Sequence, residues 1–107
     1  MLAGQLTLLE RKRLEMARAL ATGPELLLLD EIAGGLTEME CEQLVSTIRE
    51  VHARGVTIVW IEHVVHALMQ VVDRIFVLNF GQKISEGEPE AVMTSAKVQE
   101  IYMGIEA

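Results

Sequence analysis

Two polar pairs stand directly behind the most apolar stretches of the chain. Asp30 and Glu31 follow "LLLL", Leu26 to Leu29, and Glu62 and His63 follow "VTIVWI", Val56 to Ile61. Carboxylates are costly to bury, so an acid pair closing a core segment belongs at its rim. An aspartate there can hold Mg²⁺, usually through water because that ion dehydrates reluctantly. A glutamate beside it can orient or deprotonate a nucleophilic water. That combination suits phosphoryl transfer. Plainer roles fit the same residues: an acidic pair can simply begin a loop after a core strand, and a lone histidine can be structural.

The elements around these pairs decide whether they meet. Thr7 followed by Glu10 is a capping-box pattern, in which hydroxyl and carboxylate each satisfy a free backbone N–H. It predicts a helix from about Leu8 to Ala21, with Leu9, Met16, Ala17 and Leu20 on its apolar side and Gly23-Pro24 as its stop. Leu26 to Leu29 is too short for a helix and lacks polar alternation, so a strand covered on both faces is expected. Thr37 and Glu40 form a second box, opening a helix to about Arg54 with Cys41, Leu44, Val45, Ile48 and Val51 as its stripe and Gly55 as its end. Val56 to Ile61 reads as a second buried strand, rich in β-branched residues. Strand, helix, strand is a βαβ unit, for which parallel pairing is favoured. In parallel sheets ligands sit beyond the carboxyl ends of the strands, and both polar pairs fall at that edge.

Beyond it a helix is expected over about Val64 to Val72, then a strand from Arg74 to Leu78, a turn over Asn79 to Gln82 and a partner strand to about Ser85. Pro89 suits the first turn of a small helix reaching Met93, and a last helix runs from about Ala96 to Met103. No repeat, low-complexity tract or linker interrupts the chain.

With 107 residues, half of them apolar and two proline, one folded region covering 1–107 is expected and disorder is not. Net charge is −7, from nine basic against sixteen acidic residues. This argues against a nucleic-acid partner bound by phosphate neutralisation. The one cysteine, Cys41, cannot form an intramolecular disulfide. Apolar runs fall far short of the roughly 18–20 residues of a membrane span, and the start "MLAGQLTLLERKRLE" has no signal-peptide core. Cys41 and the methionines Met16, Met39, Met69, Met93 and Met103 read as packing residues, and Trp60 as a structural residue of the second strand.

"LTLLERKRLEMARALATGPELLLLDE", then "GGL", then "IEH", then "DRIFVLNFGQKISEGEP" together resemble the second half of an ATP-binding subunit of an ABC transporter, in order and spacing along essentially the whole chain. The resemblance implies a partial P-loop NTPase fold: α/β, with parallel strands, flanking helices and a C-terminal hairpin plus helices. "LLLLDE" resembles the Walker B strand, which implies Mg²⁺ at Asp30 and a catalytic role for Glu31. "AGGL", Ala33 to Leu36, resembles the D-loop, so Gly34 and Gly35 are implied at the nucleotide-binding interface with a second ATP-binding subunit. His63 matches the switch histidine that meets the γ-phosphate. The tail "VQEIYMG" and "IEHVVHALMQVVDRI" look most like the branched-chain amino-acid importers. ATP and Mg²⁺ are the implied cofactors of the complete protein. Transmembrane permease subunits are implied partners, and the inner face of the cell membrane the implied location, as a peripheral cytoplasmic subunit.

The sequence departs from that pattern in two ways. Where the family signature reads Leu-Ser-Gly-Gly-Gln, this chain has Leu6-Thr7-Leu8-Leu9-Glu10. Thr7 keeps a hydroxyl, but Leu8 and Leu9 replace glycines that allow close backbone approach, and Glu10 brings negative charge towards an expected phosphate. Arg11-Lys12-Arg13 could offset it or form a solvated face. Second, no G-x-x-x-x-G-K-[S/T] loop occurs, so nothing here cradles the β- and γ-phosphates. The chain thus resembles a C-terminal half lacking the Walker A part, from a split gene, a misplaced start codon or a trimmed chain. It is expected to be inactive alone and to self-associate through exposed strand edges. A non-enzymatic dimerisation or regulatory module is the competing reading, and an ABC-type protein outside transport a third.

Overall fold

Both helix starts are built as reciprocal caps. In the computed structural model, which describes residues 2–103, Thr7 Oγ1 accepts the Glu10 N–H at 3.1 Å while the Glu10 carboxylate accepts the Thr7 N–H at 3.0 Å. Thr37 and Glu40 repeat the arrangement at 3.2 and 3.0 Å. Each box satisfies two of the backbone donors that a helix start leaves free. The helices they open are α1, Leu8–Leu20, and α2, Glu38–Ala53.

Between and after them run β1, Leu26–Asp30, and β2, Thr57–Ile61. The two strands pair in parallel, Leu28 opposite Val59 and Asp30 opposite Ile61, and a short helix α3, Val65–Met69, follows. Leu27 and Leu29 of β1 join Leu9 and Met16 of α1, Cys41, Leu44, Val45, Ile48 and Val51 of α2, and Ala67 of α3 in one core. Full burial of such aliphatic side chains is worth about 1.5–3 kcal/mol each, so this cluster holds the βαβ unit together.

The strands are not covered on both faces, contrary to the sequence expectation. Leu26, Leu28, Val59 and Ile61 are 48–69% exposed. Helices α1, α2 and α3 all feed the cluster on the Leu27 and Leu29 side, and the opposite face stays exposed. Three smaller expectations also fail, since Ala17, Met39 and Met69 are exposed; Trp60 is half-buried and packs against the core, as a structural residue of β2 should.

The chain divides into two compact units, one up to Val71 and one from Val72 onward. The second is an antiparallel hairpin, β3, Ile75–Asn79, and β4, Gln82–Gly87. Phe80 and Gly81, with φ of +48° and +77°, make its two-residue turn, the positive-φ geometry that matches strand twist. Helix α4, Pro89–Met93, and α5, Ala96–Val98, follow, and the last turn widens into a π-helix over Gln99–Met103. Ile75, Val77, Val92 and Val98 form this unit's core. The packing role read for Met103, and Gly104 at the end of the tail motif, lie outside what is described.

Candidate functional site

The parallel register decides which polar groups meet. Because Asp30 stands opposite Ile61, the residues just beyond each strand emerge side by side. The Glu31 N–H donates to the Ile61 carbonyl at 2.7 Å, one further rung past the strand end. Glu31 then adopts φ +50°, a left-handed conformation that costs an L-residue roughly 1–2 kcal/mol. Its carboxylate meets His63 across the strand ends, with Oε1 3.3 Å from Nδ1. The contact becomes an ion pair when the imidazole is protonated, and the Nε2 nitrogen takes no part in it.

The pair is solvent-facing, with 56% of the Glu31 and 71% of the His63 side chain exposed. Asp30, one residue earlier, is exposed on the same sheet face as Leu26 and Leu28. An open groove of about 660 Å³ lies nearby, lined by Gly34, Gly35, Leu36, Cys41, Val64 and His66 among others, and none of Asp30, Glu31 and His63 borders it. Glu31 and His63 therefore lie on an open surface, while Asp30 borders a smaller groove with Lys12, Glu15 and Met16 of α1. Among the described residues no cluster of three potential ligands could hold a metal by itself. Asp30 alone still fits Mg²⁺, which takes one or two carboxylates and fills its other positions with water and phosphate oxygens.

Of the remaining sequence candidates, Thr7, Leu8, Leu9 and Glu10 sit at the start of α1. Leu9 is buried in the core at 5% exposure, so it acts in packing. The Glu10 carboxylate is taken up by the cap, where the Thr7 N–H and then the Thr7 hydroxyl, with a smaller contribution from Arg13, hold its pKa below the usual glutamate range. Arg11 and Arg13 are likewise exposed but engaged, donating to the carbonyls of Gly4 and Gln43. Gly34 and Gly35 are exposed, and Gly35 has φ +80°. A Cβ at Gly35 would lie 3.0 Å from Leu8 Cδ2, so the start of α1 and the loop after β1 approach closely. The sequence marks Glu62 only as part of the second strand's polar end, yet it makes more hydrogen bonds than any of these residues. Its position beside His63, behind a strand containing Trp60, was the available signal.

The parallel strands with their flanking helices make up part of an α/β fold, and its likeness to solved structures places it in the P-loop NTPase class. No protein-family model matches the chain, but individual proteins do. It is 38% identical over 96 residues to the high-affinity branched-chain amino acid transport ATP-binding protein LivG of Escherichia coli, covering 89% of this chain and 38% of LivG. A probable ABC transporter ATP-binding protein of Azorhizobium caulinodans is 33% identical over 97 residues, 91% of this chain and 34% of that protein. Among solved structures, the ADP conformation of MJ1267, an ATP-binding cassette of an ABC transporter, superposes with a TM-score of 0.88 at 33% identity, over 96% of this chain and 42% of that one. In sequence and in fold the chain is thus similar to ABC transporter ATP-binding cassettes, and it spans between about one third and two fifths of the relatives it matches.

Proposed function

We propose that the chain is the C-terminal part of the ATP-hydrolysing subunit of an ABC importer, with branched-chain amino acids as the transported class. The observation that carries this reading is the Glu31–His63 contact of 3.3 Å beyond two parallel strands. Glu31 is placed to accept a proton from an attacking water at its carboxylate, a role worth roughly 10²–10⁴ in rate. His63 keeps Nε2 for a phosphate oxygen, and Asp30 is the residue that would hold Mg²⁺. When bound, that ion neutralises charge on the phosphates. The chain's own residues do not fit the β- and γ-phosphates, because no glycine-rich lysine loop occurs in the sequence. Another stretch of polypeptide must supply it, and the exposed Leu26, Leu28, Val59 and Ile61 face is the surface such a stretch would cover. The assembled subunit would work with a second ATP-binding subunit and with permease subunits, at the inner face of the membrane. No helix among the described residues is long and apolar enough to cross a membrane.

The test has two arms. Calorimetry with Mg-ATP on the 107-residue chain is expected to show no binding. In a cassette completed with a polypeptide carrying the phosphate loop, Glu31→Gln should leave ATP binding in place and lower turnover by at least 100-fold. Unchanged turnover would overturn the assignment. A complete cassette that never binds nucleotide would favour the non-enzymatic module instead.

A further inference from the structure

Glu62 belongs neither to the acid pair nor to the imidazole, but it touches both loops that carry them. Its Oε2 accepts from the Ala33 amide at 2.9 Å and from the Trp60 indole Nε1–H at 3.2 Å. Its Oε1 accepts from the His63 amide at 3.1 Å and the Val64 amide at 3.4 Å. Ala33 is two residues past Glu31 in sequence and 29 residues from Glu62, and it is only 2% exposed. Apart from the Glu31 N–H to Ile61 carbonyl rung and the Glu31–His63 contact itself, the Ala33 bond is the polar tie that joins the loop after β1 to the loop after β2 among the described residues.

A carboxylate is suited to this position. It accepts at both oxygens and donates at neither, as four N–H donors require. A glutamine amide, whichever way it is turned, would aim its NH₂ at two of them. An aspartate is one methylene shorter. Ala33 is also held from its other end, where the Cys41 thiol donates to its carbonyl at 3.8 Å. Burial first, and then the nearby Glu62 charge, push the Cys41 thiol up, which keeps it protonated as that weak donor demands.

We infer that Glu62 is a positioning residue: its carboxylate clamps the loop after β1 to the loop after β2 and so keeps Glu31 and His63 in contact. What the pair does chemically rests on the functional reading above, whereas the clamp is a matter of geometry. It fixes the inner ends of both loops while the reactive side chains stay exposed, so the pair is preorganised without being buried.

The chain carries its own probes, since Trp60 is its one tryptophan and Cys41 its one cysteine. In the 107-residue chain, Glu62→Gln should shift Trp60 emission and speed Cys41 labelling at least tenfold at unchanged far-UV dichroism. The decisive readout is coupling. Glu31→Gln should move the His63 ring resonances in the parent chain and leave them unmoved in the Glu62→Gln background, an effect that lost stability alone would not produce. An undiminished His63 response in that background overturns the proposal. Should Glu62→Gln fail to fold, hydrogen exchange of the unmutated chain decides: the Ala33 amide is expected to exchange at least 100-fold slower than an open loop, and an unprotected Ala33 overturns the clamp. None of these measurements needs nucleotide. A clamp that is present in a cassette unable to hydrolyse ATP counts against the functional reading alone, and an absent clamp with turnover intact counts against Glu62 alone.

Discussion

Glu31 occupies a backbone conformation that glycine would adopt more readily, and this permits a test of whether the site is held under strain. Substitution to glycine and to alanine removes the same carboxylate and the same exposed contact with His63, so the difference between the two variants isolates the backbone. At φ +50° an alanine pays the left-handed cost of roughly 1–2 kcal/mol. Glycine avoids that cost but loses about 0.5–1 kcal/mol to its greater freedom when unfolded. Taking the middle of each range, the Glu31→Gly chain should be more stable than Glu31→Ala by about 0.75 kcal/mol, a melting-temperature difference of roughly 3–6 °C for a domain of this size. Glu50, exposed within α2, supplies the control: there glycine should fall below alanine by about 1 kcal/mol. Urea and thermal unfolding followed by far-UV dichroism would measure both pairs. If glycine at position 31 proves no more stable than alanine, the strain argument fails. Under the proposed function both position-31 variants would also lose the proton acceptor, so relief of strain and loss of hydrolysis would coincide at one residue, as expected where strain is kept for function.

Two further outcomes follow from other parts of the molecule. Because the Glu10 carboxyl is held below its usual range by the cap, its contribution is fully present above the unfolded glutamate value of about 4.3 and is lost as pH falls through the lower folded value. Glu10→Gln should remove that part of the acid sensitivity in a pH series of urea melts, and an unaltered acid limb would show the cap to be without effect. The bare sheet face gives the other outcome: covering the exposed half of Leu26, Leu28, Val59 and Ile61 is worth about 1 kcal/mol each, so two facing copies gain about 8 kcal/mol against an association cost of about 4–15 kcal/mol. Light scattering of the 107-residue chain should show weak, concentration-dependent self-association that Leu28→Lys abolishes, and a single-copy mass up to about 0.1 mM would refute it.

What was legible in the sequence was local or periodic. Thr7 with Glu10 and Thr37 with Glu40 specify their own hydrogen bonds within one helical turn, and both boxes are present. The parallel register of a βαβ unit likewise brought the residues behind two strands together, and so Glu31 beside His63. The exposed sheet face was not legible, because four successive leucines carry no alternation to say which side is covered. That depends on which other elements are available to pack there. The Glu62 clamp was hidden for a related reason: three of its four donors are backbone amides, which every residue except proline possesses and no side-chain pattern reports.

The altered signature stretch becomes intelligible only through a contact between two loops. Leu8 stands where the resembled signature has glycine, which by itself suggests a side chain thrust towards a partner's phosphate. Yet a Cβ at Gly35 would come within 3.0 Å of Leu8 Cδ2, so one end of that leucine fills the space which the missing side chain at position 35 leaves. Leu9 is turned into the core at 5% exposure. The two leucines are thus partly or wholly engaged within their own chain, one against the loop that follows Glu31 and the other under α1. The positive φ of Gly35 serves the same fit, since a residue with a side chain would meet both backbone strain and Leu8. The start of α1 and the loop after β1 are therefore matched to one another, and a change at either position is felt at the other.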